Sequence, residues 1–213
     1  MRKQRKNDIV PLWMANNRLF MAIRNFIFQG ILYMTWPERA YKAMIDICLF
    51  LIFINFFNFV NSLIFAHAIN YALNGQFFVL TRYLFNSALM TEKKIILTMS
   101  LADKLKGFFD IKDILITGSG CRNCMTKNSD LDLRVFHSCK PISTLKALIY
   151  ANILRAYGTF IGCAVDIYCF SNPSFIEKLD KKEKPISIYK NLELQLSAYR
   201  EISFSPFNPK ILT

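Results

Sequence analysis

The sequence predicts an α+β fold, with a small mixed sheet backed by helices, preceded by an all-α hydrophobic segment that associates with a membrane. No Asp, Glu, Lys or Arg occurs from Ile47 to Thr81, which is 35 positions (47–81). This stretch exceeds the roughly 20 apolar residues that a spanning helix needs. From Glu92 onward, charged residues return and short apolar stretches alternate with turn residues. We therefore expect a membrane-associated helical region over residues 1–91 and an α+β domain over residues 92–213.

The N-terminal part begins with a basic tail and continues with a helical pattern. Apolar residues recur there at steps of three or four positions: Phe20, Ile23, Ile27, Ile31 and Met34. The spacing predicts an amphipathic helix, which the Trp36-Pro37 pair is expected to close. With Trp13 and Trp36 near its ends, this helix suits a membrane interface, although a helix packed on a soluble core has the same pattern.

The uncharged stretch contains asparagines at three-residue spacing, Asn55, Asn58 and Asn61, and basic residues flank it on both sides. Flanking basic residues favour cytoplasmic placement of both ends. We therefore expect a hairpin of two helices that enters the membrane and turns near the asparagines, with a single tilted span as the alternative. The α+β domain then lies in the cytoplasm. The apolar stretch begins too late for a signal peptide.

The charge balance narrows the choice of partners. The chain has 27 Lys and Arg against 15 Asp and Glu, a net charge of +12. Such a charge suits nucleic acid, anionic lipid or a polyphosphate. The chain has no ribonucleoprotein motif, helix-turn-helix pattern or finger spacing, so membrane lipid and nucleotide are favoured over nucleic acid. Cys121 and Cys124 have the spacing of half a zinc site, but no second pair matches it, and we expect them to line a loop.

The C-terminal part reads as helix, strand, turn, strand, helix, strand. A helix is expected over Leu101–Phe109 and another from Pro141 to about Tyr157. The expected strands are apolar or alternate apolar and polar residues: Ile114–Ile116, Leu131–Phe136 and Cys163–Phe170.

Three acidic residues and one turn form the candidate site. Gly118 permits close approach of the backbone to a phosphate, and Ser119 adds a hydroxyl donor. Asp130 and Asp132 are two positions apart on an expected strand, so both side chains leave the same face. Asp166 meets them if its strand is a neighbour. Three converging carboxylates repel one another unless a dication lies between them, which predicts a site for two Mg²⁺ ions.

Residues 118–133 resemble the signature of the DNA polymerase beta superfamily of nucleotidyltransferases, especially its minimal nucleotidyltransferases. The family has Gly-Ser, then an Ala-Arg-Gly stretch, then Ser-Asp-x-Asp-Leu, and the spacing in this chain agrees without a gap. Arg122 matches the arginine of the family, and Ser129 matches its serine. The segment 165–167 is similar to the third carboxylate strand, and the segment 184–189 is similar to the closing strand. The resemblance covers about residues 95–190, and it departs where Cys121 and Asn123 replace alanine and glycine.

The resemblance implies a nucleotidyltransferase fold and a reaction that depends on Mg²⁺ or Mn²⁺. A nucleoside monophosphate, with AMP as the expected group, passes from a nucleoside triphosphate to a hydroxyl of an acceptor. Asp130 and Asp132 would hold the metal, and Asp166 would complete the metal site and assist deprotonation. The nucleotide-binding residues would be Gly118, Ser119, Arg122 and Ser129.

The sequence does not identify the acceptor, and two other classes of protein are alternatives to a nucleotidyltransferase. Membrane attachment favours a saccharide precursor or a protein as the acceptor. An antitoxin-like or regulatory protein that nucleotidylates or binds a partner protein is the alternative. A metal-dependent glycosyltransferase also uses Asp-x-Asp, but only about forty residues separate Glu92 from Asp132, which is short for the nucleotide-binding region that precedes such a pair.

Overall fold

The computed structural model of the chain describes residues 17–28, 31, 34–75, 77, 91–121, 125, 129–172 and 185–188. Helices come first within these residues, and strands follow from residue 113. The elements are α1 (Arg18–Phe28), α2 (Trp36–Phe53), α3 (Phe59–Leu73), α4 (Glu92–Lys106), β1 (Asp113–Ile116), α5 (Gly118–Cys121), β2 (Leu131–Phe136), α6 (Pro141–Ile161), β3 (Val165–Phe170) and β4 (Ile186–Ser187). This set of helices and strands confirms the α+β class that the sequence predicts.

The four strands form one mixed sheet in the order β3-β2-β1-β4. β1 pairs antiparallel with β2 and with β4, whereas β2 and β3 are parallel. Parallel strands need a crossover connection, and α6 provides it. α6 is a turn longer than the sequence predicts, and the amide of Cys163 still donates to the carbonyl of Gly158 at 2.8 Å. β3 therefore starts at Val165 and not at Cys163.

One face of the sheet forms the apolar core. Ile114, Leu133 and Ile167 come from three neighbouring strands and are fully buried in a cluster with residues of α4 and α6. Tyr150 of α6 belongs to the same cluster, and its hydroxyl donates to the carbonyl of Ala102 in α4 at 2.9 Å. Alternate strand residues point to opposite faces, so the intervening residues of β2 and β3 project from the other face. That second face carries two of the predicted site residues.

α2 and α3 form a helical hairpin, and the asparagines lie where it turns. Asn55 follows α2, and its side-chain amide donates to the carbonyl of Leu51 at 2.8 Å. The side-chain oxygen of Asn58 caps α3 by accepting from the amide of Asn61 at 3.0 Å. The pair of helices that turns near the asparagines is therefore present. The side chains of Asn55 and Asn58 do not lie on one helix face. Each of them instead bonds to a backbone group at a helix end.

The Trp36-Pro37 pair begins α2. It does not end α1, whose last residue is Phe28. Thr35 and Glu38 form a capping box, in which the backbone amide of Thr35 donates to the Glu38 carboxylate at 2.9 Å. Proline is favoured in a first turn because the missing N–H would have no partner there. The Thr-x-x-Glu spacing was the available signal for this start.

The hairpin packs on α1 and on the α+β part. Tyr71 of α3 donates its hydroxyl to the side chain of Asn25 in α1 at 2.8 Å, and Thr159 of α6 donates to the carbonyl of Ala72 at 3.0 Å. Gly75, just beyond α3, has a φ of +73°, and a β-carbon there would lie 3.4 Å from the carbonyl oxygen of Val165. The end of α3 therefore approaches the start of β3 closely.

Among the residues that the structure describes, no helix combines the length and the apolar character needed to cross a membrane. The membrane-associated character that was predicted for residues 1–91 stays a prediction.

Candidate active site

Asp132 on β2 and Asp166 on β3 are paired residues of parallel strands. Paired residues of neighbouring strands project from the same face, and such strands lie about 4.8 Å apart. Both side chains are half-buried. The structure thus brings together two carboxylates that are 34 positions apart in the sequence (166 − 132).

Gly118 lies directly against Asp132. Its φ is +64°, which is a left-handed conformation that favours glycine. A β-carbon at Gly118 would lie 2.9 Å from Cγ of Asp132 and would overlap one carboxylate oxygen. The preceding residue, Thr117, donates its amide to the carbonyl of Asp132 at 3.0 Å. The turn after β1 and the first acidic position of β2 are therefore one local structure.

The structure describes three of the four other predicted residues, with one correction. β2 begins at Leu131, so Asp130 lies just before the strand and not on it. Its charge acts on Asp166 in the direction that raises the pKa of Asp166. Ser119 lies in the short helix α5, and Ser129 is half-buried in the segment before β2. Arg122 lies outside the described residues.

Neighbouring charges of both signs act on the pKa of Asp166. Burial is the main cause that raises the pKa of Asp166, whereas Arg134 and Arg155 lower it. Asp130 and Glu38 act in the raising direction. A carboxyl group whose pKa is raised is a better proton acceptor than an ordinary aspartate, because its conjugate acid is less acidic. This property suits the role in deprotonation that the resemblance implies.

Arg134 and Tyr168 extend the polar face by one more pair of strand positions. They are paired residues of β2 and β3, and the Arg134 guanidinium lies 4.7 Å from the centre of the Tyr168 ring. A guanidinium stacked on a ring is held in place by cation–π attraction. Arg134 is therefore a fixed positive charge beside Asp132 and Asp166. The alternation of charged and apolar residues along β2 was the sequence signal for it.

Two further ionisable residues reach this region from α2, which sequence reasoning assigned to the membrane segment. Glu38 is 3% exposed and Lys42 is 4% exposed. Burial lowers the pKa of Lys42 to about 7, with Arg155 acting in the same direction and Asp46, Glu38 and Asp166 opposing it. No local pattern could reveal this placement, because Arg155, Asp166 and Cys169 are all more than a hundred positions away.

The described residues contain no group of three His, Cys, Asp or Glu side chains arranged to hold a metal ion. Carboxylates repel one another, and Asp132 lies against Gly118 while Asp166 interacts with two arginines. The strand register aligns Asp132 with Asp166, and a metal ion at these carboxylates stays a prediction. Carboxylate oxygens are the ligands that Mg²⁺ and Mn²⁺ prefer.

β4 (Ile186–Ser187) lies within the segment 184–189 and pairs antiparallel with β1. The nucleotidyltransferase resemblance rests on the sequence motif and stays a prediction. The chain matches no protein-family model, no curated protein and no solved structure.

Proposed function

We propose that this protein transfers a nucleoside monophosphate, with AMP as the expected group, from a nucleoside triphosphate to a hydroxyl group of an acceptor. One observation carries the proposal: the carboxylate of Asp132 lies between the Gly118 turn and the paired position of Asp166. A glycine turn lets phosphate oxygens approach the backbone, and adjacent carboxylates supply oxygen ligands for a dication. The two requirements of triphosphate chemistry thus meet at one point.

The predicted site residues would have different roles in this reaction. Asp130 and Asp132 would hold Mg²⁺ or Mn²⁺, which neutralises charge on the phosphates and on the leaving group. Gly118, Ser119, Arg122 and Ser129 would bind the nucleotide. Asp166 would complete the metal site and accept the proton of the acceptor hydroxyl. The acceptor oxygen then forms a bond to the α-phosphorus, the bond from that phosphorus to the bridging oxygen breaks, and pyrophosphate leaves.

The hairpin of α2 and α3 supports attachment to a membrane surface. Most of its exposed apolar side chains lie in the second half of α2, in the turn and along α3, among them Ile47, Leu51, Phe56, Phe59, Val60, Leu63 and Ile64. Large exposed apolar surfaces mark interaction sites, and this one carries no charged residue from Ile47 onward. We propose that the hairpin tip enters the apolar layer of the cytoplasmic leaflet. The acceptor is then a membrane-bound saccharide precursor or a membrane protein.

Calorimetry on the full-length protein with ATP tests the nucleotide site. ATP should bind in the presence of Mg²⁺ and should bind far more weakly with a chelator, because the carboxylates repel the phosphates until a cation bridges them. Asp132→Asn should abolish the dependence on Mg²⁺. Asp103→Asn is the matched control, since Asp103 is an exposed aspartate of α4 that pairs with Lys106 at 2.8 Å. Equal ATP binding with Mg²⁺ and with chelator would refute the proposal.

A further inference from the structure

Within the part of the chain that the structure describes, the outer edge of β3 is bonded to side chains and not to another strand. β3 is an end strand of the sheet, and the backbone groups of Ala164 and Phe170 bond to the β2 side. Hydrogen-bonding directions alternate along a strand, so the backbone groups of Ile167 and Cys169 face outward. The amide of Cys169 donates to Oε1 of Glu38 at 3.1 Å. The carbonyl of Ile167 accepts from the guanidinium of Arg155.

Glu38 and Arg155 also hold each other. Oε1 of Glu38 lies 3.9 Å from Nη2 of Arg155. The second oxygen, Oε2, accepts from the amide and the hydroxyl of Thr35 at 2.9 and 3.0 Å. Glu38 is 3% and Arg155 is 7% exposed. A buried ion pair needs such additional hydrogen bonds, because desolvation opposes its formation. Both members of the ion pair are therefore held in place by hydrogen bonds to other residues.

Asp166 belongs to the backbone segment that this pair holds. It lies next to Ile167 in the chain, and its own backbone faces β2 while its side chain leaves the polar face. A shift of the outer edge of β3 would therefore move Asp166 relative to Asp132. Glu38 and Arg155 do not need to contact substrate to affect that distance.

We infer that Glu38 and Arg155 are positioning residues, which hold β3 so that Asp166 faces Asp132 in the metal site. This inference rests on the proposed nucleotidyl transfer. It makes α2 a part of the catalytic unit, with its first turn on the edge of β3 and its apolar second half in the hairpin tip. Glu38 and Phe53 are 15 positions apart on one helix, which is about 22 Å. The same rigid helix therefore joins the proposed membrane contact to the active site.

Binding of Mn²⁺ to the full-length protein, followed by electron paramagnetic resonance, tests the inference without an acceptor. Glu38→Ala removes the acceptor of the Cys169 amide and should weaken Mn²⁺ binding about tenfold, as loss of a group that supports a metal ligand does. Glu38→Gln keeps an oxygen for that amide and should lose much less affinity. Asp46→Asn is the control, because this carboxylate of the same helix faces His67 at 3.5 Å and not β3.

A double-mutant cycle separates positioning from general destabilisation. In an Asp166→Asn background, Glu38→Ala should cause no further loss of Mn²⁺ affinity, because its effect passes through Asp166. If Glu38→Ala does not fold, as judged by circular dichroism, Glu38→Asp takes its place in the same cycle, because its shorter side chain withdraws the carboxylate from the Cys169 amide.

Three outcomes are decisive. Loss that disappears in the Asp166→Asn background supports the inference. Tight binding by the wild type with no loss in the Glu38 variants, or with equal loss in both backgrounds, overturns it and leaves the proposed function intact. A wild type that binds no Mn²⁺, and does not differ from Asp166→Asn, overturns the proposed function and the inference with it.

Discussion

The carboxylate of Asp132 occupies the space that a side chain at Gly118 would need. The contact is local on both sides, since Gly118 follows β1 directly and the amide of Thr117 bonds to the carbonyl of Asp132. Glycine permits this contact because it has no side chain, and the backbone of such a turn can also approach phosphate oxygens. The consequences of this contact can be measured with single substitutions.

Gly118→Ala should destabilise the protein and weaken ATP binding. Its φ of +64° costs about 1–2 kcal/mol for a residue with a β-carbon, and the new methyl group would displace Asp132. Gly107→Ala is the matched control, because Gly107 has a helical conformation with a φ of −66° and nothing lies within 4 Å of a β-carbon there. Gly107→Ala should stabilise by about 0.4–1 kcal/mol. Urea unfolding and calorimetry measure the two effects, and equal behaviour of both variants would argue against the role of Gly118.

Asp132→Asn and Asp166→Asn should each lower nucleotidyl transfer by at least about a hundredfold, since an amide neither binds a hard dication well nor accepts a proton. The fold should persist because the amide has nearly the same shape and volume as the carboxylate that it replaces. Transfer of label from α-labelled ATP to membrane fractions measures the activity, and circular dichroism checks the fold. Wild-type turnover in both variants would place the active site elsewhere.

Lys42 should make stability depend on pH. Burial lowers its pKa to about 7 from an ordinary value of 10.5, so between these values the unfolded state binds more protons than the folded state. The free energy of unfolding should therefore rise with pH across this window. The contribution reaches about 1.4 kcal/mol per pH unit at its steepest. Below the folded pKa, the protein carries the full cost of burying the charge.

Urea unfolding at about pH 7 and about pH 9 checks this sign. Lys42→Met should remove most of the rise, whereas Lys93→Met, at an exposed position of α4, should leave it unchanged. The same rise in wild type and in Lys42→Met would show that another group causes it.

Arg155→Leu should lower the free energy of unfolding by about 3–5 kcal/mol, because it leaves the carboxylate of Glu38 buried without its cation. It also removes the donor to the carbonyl of Ile167. The double variant Glu38→Leu with Arg155→Leu should recover part of the loss, since an apolar pair avoids desolvation of the charge. Urea unfolding of Arg155→Leu, of Glu38→Leu and of the double variant measures this. Additive losses would show that the two residues act independently.

Membrane attachment through the hairpin predicts flotation of the full-length protein with phospholipid vesicles and resistance to high salt. Insertion of apolar side chains is not screened by ions, whereas basic contact with anionic lipid is. Phe56→Asp should reduce flotation, because Phe56 is 75% exposed in the turn of the hairpin. Phe108→Asp is the matched control, at a position that is 78% exposed outside the hairpin. Equal loss in both variants, or release of the wild type by salt, would contradict insertion.

Several features of the fold and site followed from the sequence because the forces behind them are local. The bounds of β2 followed from the alternation Leu131 to Phe136, which only a strand with one buried face explains. The hairpin turn followed from asparagines that interrupt an apolar stretch, and the Gly118 turn from residues adjacent in the chain. The start of α2 was misread even so, although the capping spacing of Thr35 and Glu38 was visible.

The sequence by itself determined the α+β class and the polar face of β2. It also determined the residues from which the proposed chemistry was inferred. Only the tertiary structure decided that Asp166 faces Asp132, because the register of a parallel pair depends on the packing of the helix that connects the strands. It also decided that Glu38 bonds to Cys169, 131 positions away. An acidic residue in a first helical turn satisfies capping rules wherever the helix lies. Its second partner depends on which strand edge the folded chain leaves open beside it.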